Sequence, residues 1–367
     1  MIYADNAATT KLEKEALEAM LPFLTDEYAN PSQPYSFSRN VKKALKQARE
    51  TIAACINAEP DEIYFTSGGT ESDNWALKGT AFYNGFRKSI ITSSFEHHAI
   101  LNSCKQLEEL GNPIAYIDPD ENGIVKPERL KEIIHSPALV SIMLVNNELG
   151  TIQPIKQLAE IAHKYGALFH TDAVQAVGHI SIDVKELGID MLSASAHKFN
   201  GARGAGFLYI KKGTPIVPLM NGGAQENKSR AGTENVAAIL AMAIALKNNC
   251  EHIEANRKHI QKLSDEFLTA LKTEYKLNGI NRYEGIHSLS FKNASGETLL
   301  HRLDLKGISI STGSACDSVN THISHVLNAI KLDEEYAIGT IRVSFGKDNT
   351  IEEAVAVAKA IDSILMK

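Results

Sequence analysis

The stretch Ile189-Asp-Met-Leu-Ser-Ala-Ser-Ala-His-Lys-Phe-Asn-Gly-Ala-Arg-Gly-Ala-Gly206 decides how this chain is interpreted. An apolar run typical of a buried strand leads into a hydroxyl, an imidazole, a lysine and a glycine-rich turn. A lysine in that setting is partly desolvated, and an amine that loses its proton more easily becomes a nucleophile toward aldehydes. We therefore interpret Lys198 as a Schiff-base residue.

An acid stands upstream of Lys198, at the end of another predicted strand, in Phe169-His-Thr-Asp172-Ala-Val-Gln175. A lone aspartate after a strand is more often a helix cap or part of a surface turn. Combined with a Schiff-base lysine, Asp172 could instead hold a pyridine nitrogen protonated, as pyridoxal phosphate requires. Gln175 could then donate to the 3′ oxygen of that ring.

Apolar runs alternate with helical patterns from about residue 38 to 250. Strands are predicted at 62–66, 89–93, 113–117, 139–145 and 167–171, and helices at 38–57 and 155–165. Alternation of this kind predicts an α/β fold in which helices cover a mostly parallel sheet, with ligands beyond the carboxyl ends of the strands.

A smaller α+β pattern follows a long helical stretch over 233–272. Its strands are predicted at 287–291 and 340–344, and its helices at 296–305, 321–328 and 351–365. The first dozen residues precede the alternating part and are expected to pack with this unit. We predict a large domain over 13–250 and a small domain built from 1–12 and 251–367.

Composition excludes several classes of function. The net charge of -6 and the scattered basic residues argue against nucleic acid and anionic membranes as partners. The four cysteines include no CxxC pair, which argues against a disulfide framework and a zinc site. There is no signal-peptide pattern and no apolar run near the ~20 residues that span a bilayer. We expect a soluble, cytoplasmic protein without a metal.

The run Phe65-Thr-Ser-Gly-Gly-Thr-Glu71 is typical of a strand, a glycine turn and a helix start. Free backbone N–H groups and the helix dipole bind phosphate at such a start, and Gly69 and Thr70 would contact it. The alternative is an ordinary capped turn, because Ser67 or Thr70 followed by Glu71 also resembles helix capping.

Two further polar turns follow predicted strands. His97 could cap a helix, or it could stack on a flat cofactor and act as an acid or base near neutral pH. Asn147 could supply an amide donor to a ligand or belong to a plain turn.

The segment Ser311-Thr-Gly-Ser-Ala-Cys-Asp-Ser318 places one cysteine among small polar residues. A thiol in an exposed loop of this kind can reach a substrate and react as a thiolate, although Cys316 could also be an incidental loop cysteine. Arg342 alternates with apolar neighbours on a predicted strand, where it would be a salt-bridge partner or a fork for a carboxylate.

Taken together, these motifs resemble the cysteine desulfurases of the NifS/IscS-like branch of the class V aminotransferase family. The matching motifs run through nearly the whole chain: Asp5-Asn-Ala-Ala-Thr-Thr10, Asn30-Pro-Ser32, Thr66-Ser-Gly-Gly-Thr-Glu-Ser72, Glu96-His97, Asn146-Asn-Glu-Leu-Gly150, Asp172-Ala-Val-Gln-Ala-Val-Gly178, Ser195-Ala-His-Lys198, Arg230-Ala-Gly-Thr-Glu-Asn235 and Ser311-Thr-Gly-Ser-Ala-Cys316.

The resemblance implies a pyridoxal phosphate-dependent transferase of fold type I, with a seven-stranded sheet in its large domain. It implies that Lys198 holds the cofactor and moves protons at the substrate Cα. His97 would stack on the ring, Asp172 would pair with its nitrogen and Gln175 would contact its 3′ oxygen. The residues expected around the phosphate are Gly69, Thr70, Ser195 and His197, with Thr233 reaching the phosphate of the other subunit of a homodimer.

On the substrate side, the resemblance implies that Asn30, Asn147 and Arg342 bind the carboxylate side of L-cysteine. Asn147 would also line the cofactor. Cys316 would attack the substrate sulfur, become a persulfide and release L-alanine. The acceptor stays open between an iron–sulfur scaffold and a tRNA-thiolation protein, because iron–sulfur members usually continue further beyond the last helix.

The chain departs from the family pattern at Thr312, where a second serine is usual, and at Ala224, where a third glycine is common. Two rival functions stay open. One is another enzyme on the same scaffold, such as a selenocysteine lyase or an aminotransferase. The other is a non-catalytic interaction protein, which the presence of Lys198 and Asp172 argues against.

Overall fold

The computed structural model describes residues 1–83, 89–135, 138–312 and 323–366. Cys316 lies outside the described residues, together with the rest of 313–322, and the predictions made for it stay predictions.

The strands of the described chain are short and distributed over three sheets. They are β1 Ile2–Tyr3, β2 Ile63–Thr66, β3 Ser89–Ser93, β4 Ile114–Ile117, β5 Ala138–Ser141, β6 Leu168–Asp172, β7 Met191–Ser195, β8 Gly206–Ile210, β9 Lys276–Leu277, β10 Ile286–Ser290, β11 Ile308–Ser309 and β12 Thr340–Ser344.

The helices connect and cover these strands. They are α1 Lys14–Met20, α2 Pro22–Thr25, α3 Arg39–Cys55, α4 Gly69–Phe82, α5 His98–Glu109, α6 Pro127–Ile133, α7 Ile155–Lys164, α8 Val184–Leu187, α9 Val236–Glu251, α10 Ile253–Ala270, α11 Gly296–Asp304, α12 His325–Ala329, α13 Glu334–Ala337 and α14 Ile351–Leu365.

The large sheet has seven strands in the order β2-β8-β7-β6-β5-β3-β4. The run from β7 to β4 is parallel, and β8 is antiparallel to both of its neighbours, β2 and β7. The predicted α/β fold with a mostly parallel, seven-stranded sheet is therefore confirmed.

Helices bury both faces of this sheet, and adjacent strand residues show it. Ile90 and Leu139 pack in one apolar cluster with Trp75 of α4. Their neighbours Ile91 and Val140 belong to a second cluster, which includes residues of α7. Near-continuous apolar strands are what a sheet covered on two faces requires.

A smaller unit contains the antiparallel sheet β12-β10-β9 and the parallel pair β1-β11. Its apolar cluster joins Phe267, Leu289, Ile341 and Val357 with Ala4 from the N-terminal segment. We propose, as the sequence predicted, a large domain over 13–250 and a small domain from 1–12 and 251–367.

Three predicted elements differ from the structure. The helix expected over 321–328 is observed as His325–Ala329, and positions 321 and 322 lie outside the described residues. The strand expected over 139–145 ends at Ser141, and two residues later the N–H of Met143 donates to the carboxyl of Glu96. The helix expected over 233–272 is two helices, because the backbone of His252 leaves the helical region at φ -119° and ψ 14°.

Candidate active site

Lys198 lies at the end of a 3₁₀ turn that follows β7 directly. Its Nζ donates to the carbonyl oxygens of Ala7 and Ala8 at 2.6 and 2.8 Å. The lysine is thus half-buried and held by the N-terminal segment, as the sequence predicted for an amine at a strand end.

Gly206, at the start of β8, allows this strand to lie close to the glycine turn at Gly68 that follows β2. A Cβ on this residue would lie 2.5 Å from the carbonyl oxygen of Ala194 and 2.6 Å from the Cα of Gly68. The turn after β2 lies against the end of β7 at this point, and for that reason nothing larger than glycine fits.

Asp172 is the last residue of β6 and is only 5% exposed. Its Oδ1 accepts a hydrogen bond of 2.9 Å from the N–H of Val174. Burial raises the pKa of Asp172, while the nearby His97 and Lys198 oppose that shift. The structure thus brings together the lysine, the acid and the imidazole that the sequence singled out.

His97 is the N-cap of α5, and its Nδ1 accepts a hydrogen bond of 3.1 Å from the N–H of Ala99. The neutral ring therefore carries its proton on Nε2. Burial lowers the pKa of His97; Asp172 opposes this shift and Lys198 adds to it. The helix-cap alternative is correct, and the electrostatic interaction with Asp172 places the same side chain in the neighbourhood of that acid.

Gln175 donates from Nε2 to the carbonyl oxygen of Ala7 at 2.8 Å. The same oxygen accepts from Lys198, so the amide and the amine are neighbours. The contact of Gln175 with a cofactor oxygen stays a prediction.

The expected phosphate site is the start of α4. Its first backbone N–H groups have no acceptor within the helix, as at every helix start. The capping alternative is wrong, because the N-cap is Gly68 and no side chain caps the helix. Glu71 instead accepts from the N–H of Ser67 at 2.8 Å and pairs with Arg230 at 2.7 and 2.9 Å.

Side chains expected at the phosphate differ in their surroundings. A Cβ on Gly69 would lie 2.6 Å from a methyl of Val174 and 3.6 Å from the Cβ of Ser195, which places this turn against β7. Burial lowers the pKa of His197 to about 4, and its ring lies 3.1 Å from the hydroxyl of Thr9. Thr70 and Thr233 are exposed in the single chain.

These residues fit pyridoxal phosphate. The cofactor needs an amine for its aldehyde, a carboxylate for its ring nitrogen and N–H donors for its phosphate. Lys198, Asp172 and the start of α4 meet those three requirements. A positively charged ring nitrogen would also offset the burial of the Asp172 charge.

Arg342 lies on β12 and is 7% exposed. One terminal nitrogen donates to Oδ1 of Asp5 at 2.8 Å and the other to the carbonyl oxygen of Asn147 at 2.9 Å. Its Nε is buried without a partner among the described residues. Asn30 is placed differently: its Oδ1 accepts from the N–H of Ser32, and among the described residues no hydrogen bond joins it to Arg342.

Both ends of the segment that contains Cys316 are attached near Arg342. Ser311 exchanges backbone hydrogen bonds of 3.1 and 2.7 Å with Arg342. After the segment, the hydroxyl of Ser324 donates to Glu148 at 2.7 Å, and Glu148 interacts electrostatically with Arg342. Cys316 is four positions after Thr312 in the sequence, which an extended chain spans in at most ~14 Å.

Sequence reasoning missed a group of buried carboxyls around the site. Burial raises the pKa of Glu96 to about 8 and that of Glu148 to about 7. Asp73 of α4 is 1% exposed, and burial together with the neighbouring Asp172 holds its pKa well above the usual range. Each of the three stands among other polar residues in the sequence, so no local pattern marks it as buried.

A family model described as aminotransferase class-V matches residues 2–357. This chain belongs to that family. The cysteine desulfurase IscS of Methanosarcina thermophila is 46% identical over 372 residues, covering 100% of this chain and 92% of the relative. Pyridoxal phosphate is accordingly the cofactor of this class-V enzyme.

Solved structures agree with the family. A structure described as a NifS-like protein superposes with a TM-score of 0.94 at 37% identity, over 100% of this chain and 99% of its own. A second structure, described as SspA in complex with cysteine, has a TM-score of 0.87 at 35% identity, over 95% of this chain and 100% of its own.

Two other kinds of site are absent from the described residues. No helix in the part of the chain that the structure covers is both long and apolar enough to cross a bilayer. Within those same residues, no cluster of three or more His, Cys, Asp or Glu side chains is arranged to hold a metal ion.

Proposed function

We propose that this class-V enzyme is a cysteine desulfurase, which converts L-cysteine into L-alanine and retains the sulfur as a persulfide on Cys316. The observation that carries the proposal is the juxtaposition of two parts. Lys198, Asp172 and His97 form the centre expected for pyridoxal phosphate, and Arg342 pairs with Ser311 at the start of the Cys316 segment. The cysteine-bound structure of the SspA relative supports the same substrate class.

The bound cofactor supplies an electron sink, which lets the substrate Cα lose a proton. Lys198 is the residue placed to take that proton and return one, because its amine lies at the strand end beside Asp172. Asp172 holds the positive charge of the ring nitrogen. Arg342 binds the substrate carboxylate through a fork that suits two oxygens.

The sulfur step uses the thiolate of Cys316. It attacks the substrate sulfur, so that a sulfur–sulfur bond forms and the bond between Cβ and sulfur breaks. The electron pair of the broken bond stays with the carbon skeleton, where protonation completes the methyl group of alanine. L-Cysteine and the enzyme thiol thus become L-alanine and the enzyme persulfide, without an external oxidant.

Mass spectrometry of the holoenzyme after incubation with L-cysteine tests this proposal. We expect the peptide that contains Cys316 to gain the mass of one sulfur atom while L-alanine accumulates. Cys316→Ala should give no such adduct and no alanine, whereas Cys55→Ala should behave as wild type. Alanine formation at the wild-type rate by Cys316→Ala would contradict the persulfide mechanism and favour a lyase.

We also propose a homodimer, which an exposed apolar surface near the N-terminus supports. Monomeric proteins rarely expose contiguous apolar patches of this kind. Its residues are Leu17, Leu21, Leu24, Tyr28, Tyr35 and Phe37, each at least 43% exposed in the single chain. Burial of this surface between two copies would also give the exposed Thr233 a route to the partner's phosphate site.

Sedimentation velocity tests the dimer. Wild type should sediment as a species of twice the chain mass of 40.1 kDa. Leu21→Glu combined with Leu24→Glu should shift the population toward single chains, because two charges would be buried in an apolar interface. The equally exposed Leu110, placed at the end of α5, provides the control substitution Leu110→Glu, which should leave the mass unchanged.

The sulfur acceptor and the cytoplasmic location rest on the resemblance and the names of the relatives. The acceptor is proposed to be an iron–sulfur scaffold or a tRNA-thiolation protein. Transfer of radiolabelled sulfur from the persulfide form to one class of protein but not the other would distinguish them.

A further inference from the structure

Asp5 is the carboxylate in direct contact with Arg342. The two side chains form an ion pair of 2.8 Å, in which 9% of the Arg342 side chain and 17% of the Asp5 side chain are exposed. The guanidinium also donates a hydrogen bond to the carbonyl oxygen of Asn147. Since Nε is buried without a partner among the described residues, the fork keeps donor capacity for a further anion.

The backbone fixes Asp5 beside β12, so the ion pair is part of the fold. Asp5 forms a parallel bridge with Ser344, two residues beyond Arg342. The N–H of Ser344 donates to Ala4 at 2.8 Å, and the N–H of Ala7 donates to the hydroxyl of Ser344 at 2.9 Å. The carboxylate of Asp5 is therefore held where it faces the guanidinium.

The same N-terminal segment reaches Lys198. The carbonyl oxygens of Ala7 and Ala8 accept from its amine, two and three residues after Asp5. An amino acid whose α-carbon lies at Lys198 and whose carboxylate lies at Arg342 would span this segment. Its carboxylate would share the guanidinium with Asp5.

The net charge around Arg342 depends mainly on Asp5. Glu148 is the other carboxyl that interacts with the guanidinium; burial raises its pKa to about 7, which leaves much of it neutral near pH 7. Two further ionisable groups lie within electrostatic reach. The pKa of Tyr3 is raised by burial and by Asp5, and this shift is opposed by the positive charges of Arg203 and Arg342. Asp5 alone makes the direct contact at 2.8 Å.

We propose that Asp5 is a positioning residue that holds the Arg342 fork in place and also weakens its attraction for amino-acid carboxylates, which favours release of the alanine product. This inference rests on the proposed function, because it takes Arg342 as the carboxylate-binding residue. The carboxylate of Asp5 and that of a bound amino acid repel each other, and their distance from the same guanidinium makes this repulsion substantial.

Asp5→Asn separates position from charge. The amide oxygen still accepts from Arg342, but the negative charge is gone. Titration of the holoenzyme with L-alanine, followed by the change in the cofactor's visible absorption, should show binding about tenfold tighter than in wild type. The KM for L-cysteine should fall in the same direction. Asp5→Ala loses the hydrogen bond as well, so its alanine binding should be weaker than that of Asp5→Asn.

A ligand without a carboxylate gives the readout that a merely structural effect would not reproduce. Cysteamine lacks the group that Arg342 binds, so Asp5→Asn should leave its affinity unchanged. The control Asp61→Asn removes an exposed carboxylate that pairs with Lys212, and it should alter neither ligand.

Unchanged or weaker alanine binding in Asp5→Asn would overturn the inference, as would an equal shift for cysteamine. These results are independent of turnover. Failure of wild type to form alanine and a Cys316 persulfide would overturn the proposed function instead, while alanine titration would still report on Asp5.

Discussion

Lys198→Ala is expected to lower kcat for alanine formation by at least about 10³-fold, because one residue both holds the cofactor and moves the proton at the substrate Cα. The amine at the end of β7 has no substitute nearby. His197 is neutral, since burial lowers its pKa to about 4, and it is turned toward Thr9. Neither the imidazole of His97 nor the amide of Gln175 can bond covalently to the cofactor's aldehyde in the same way.

Loss of the amine should leave the fold intact. Gln175 still donates to the carbonyl oxygen of Ala7 after the substitution, so that oxygen keeps a donor while the carbonyl oxygen of Ala8 loses the one from Lys198. The substitution removes two hydrogen bonds of Lys198, each worth about 1 kcal/mol, which would lower the melting temperature by roughly a few degrees without unfolding the protein. Thermal unfolding of Lys198→Ala without cofactor should therefore resemble that of wild type apart from this small shift.

Borohydride reduction followed by peptide mass spectrometry checks the assignment directly. The wild-type holoenzyme should carry a reduced pyridoxyl group on the peptide that contains Lys198, and Lys198→Ala should carry none. Lys212→Ala, which removes a lysine that is 81% exposed, is the matched control and should label as wild type does. A pyridoxyl group on another lysine of the wild type would show that Lys198 has been assigned wrongly.

The sheet was predictable from sequence because its strands are buried on two faces. Runs such as Leu139-Val-Ser-Ile-Met-Leu-Val145 are mostly apolar, and helical periods separate most of these runs, so the order of strands along the chain follows from the sequence pattern. The division of the long helical stretch at His252 could not be predicted from the spacing of its apolar residues. The Nδ1 of His252 donates to the carbonyl oxygen of Asn248, and this local side-chain bond accompanies the change in backbone direction.

The site was predictable to the extent that it lies at strand ends. Lys198, Asp172 and His97 each lie at or soon after the end of a predicted strand, and the carboxyl ends of parallel strands meet at one edge of the sheet. The ion pair of Asp5 with Arg342 could not be found this way, because the partners are 337 residues apart and sit outside the large sheet. Side-chain pairing over such a distance depends on how the N-terminal segment packs against β12.

Asp172→Asn is expected to lower kcat by about 10²- to 10⁴-fold while the fold and much of the cofactor affinity remain. The amide has nearly the same volume, and its oxygen can keep the hydrogen bond of 2.9 Å from Val174. It has no negative charge with which to hold a proton on the ring nitrogen. The electron sink that the substrate Cα requires is weakened, although Lys198 is still present.

The pH dependence of stability separates this electrostatic role from a packing role. Burial raises the pKa of Asp172 above its usual value of 3.8, so the empty protein is stabilised by the protonated acid. This contribution is complete below 3.8 and is lost as the pH rises through the raised pKa. The asparagine variant lacks the titration, so its melting temperature should fall less than that of wild type as the pH rises through this range.

At pH values above the raised pKa of Asp172, bound cofactor should stabilise wild type more than Asp172→Asn. A protonated ring nitrogen supplies the positive charge that the buried Asp172 lacks in the empty protein, whereas the neutral amide gains nothing from it. The rise in melting temperature on adding pyridoxal phosphate should therefore be larger for wild type than for Asp172→Asn, and the difference should grow with pH. Equal rises for the two proteins at every pH would mean that Asp172 contributes shape rather than charge, and its pairing with the ring nitrogen would have to be abandoned.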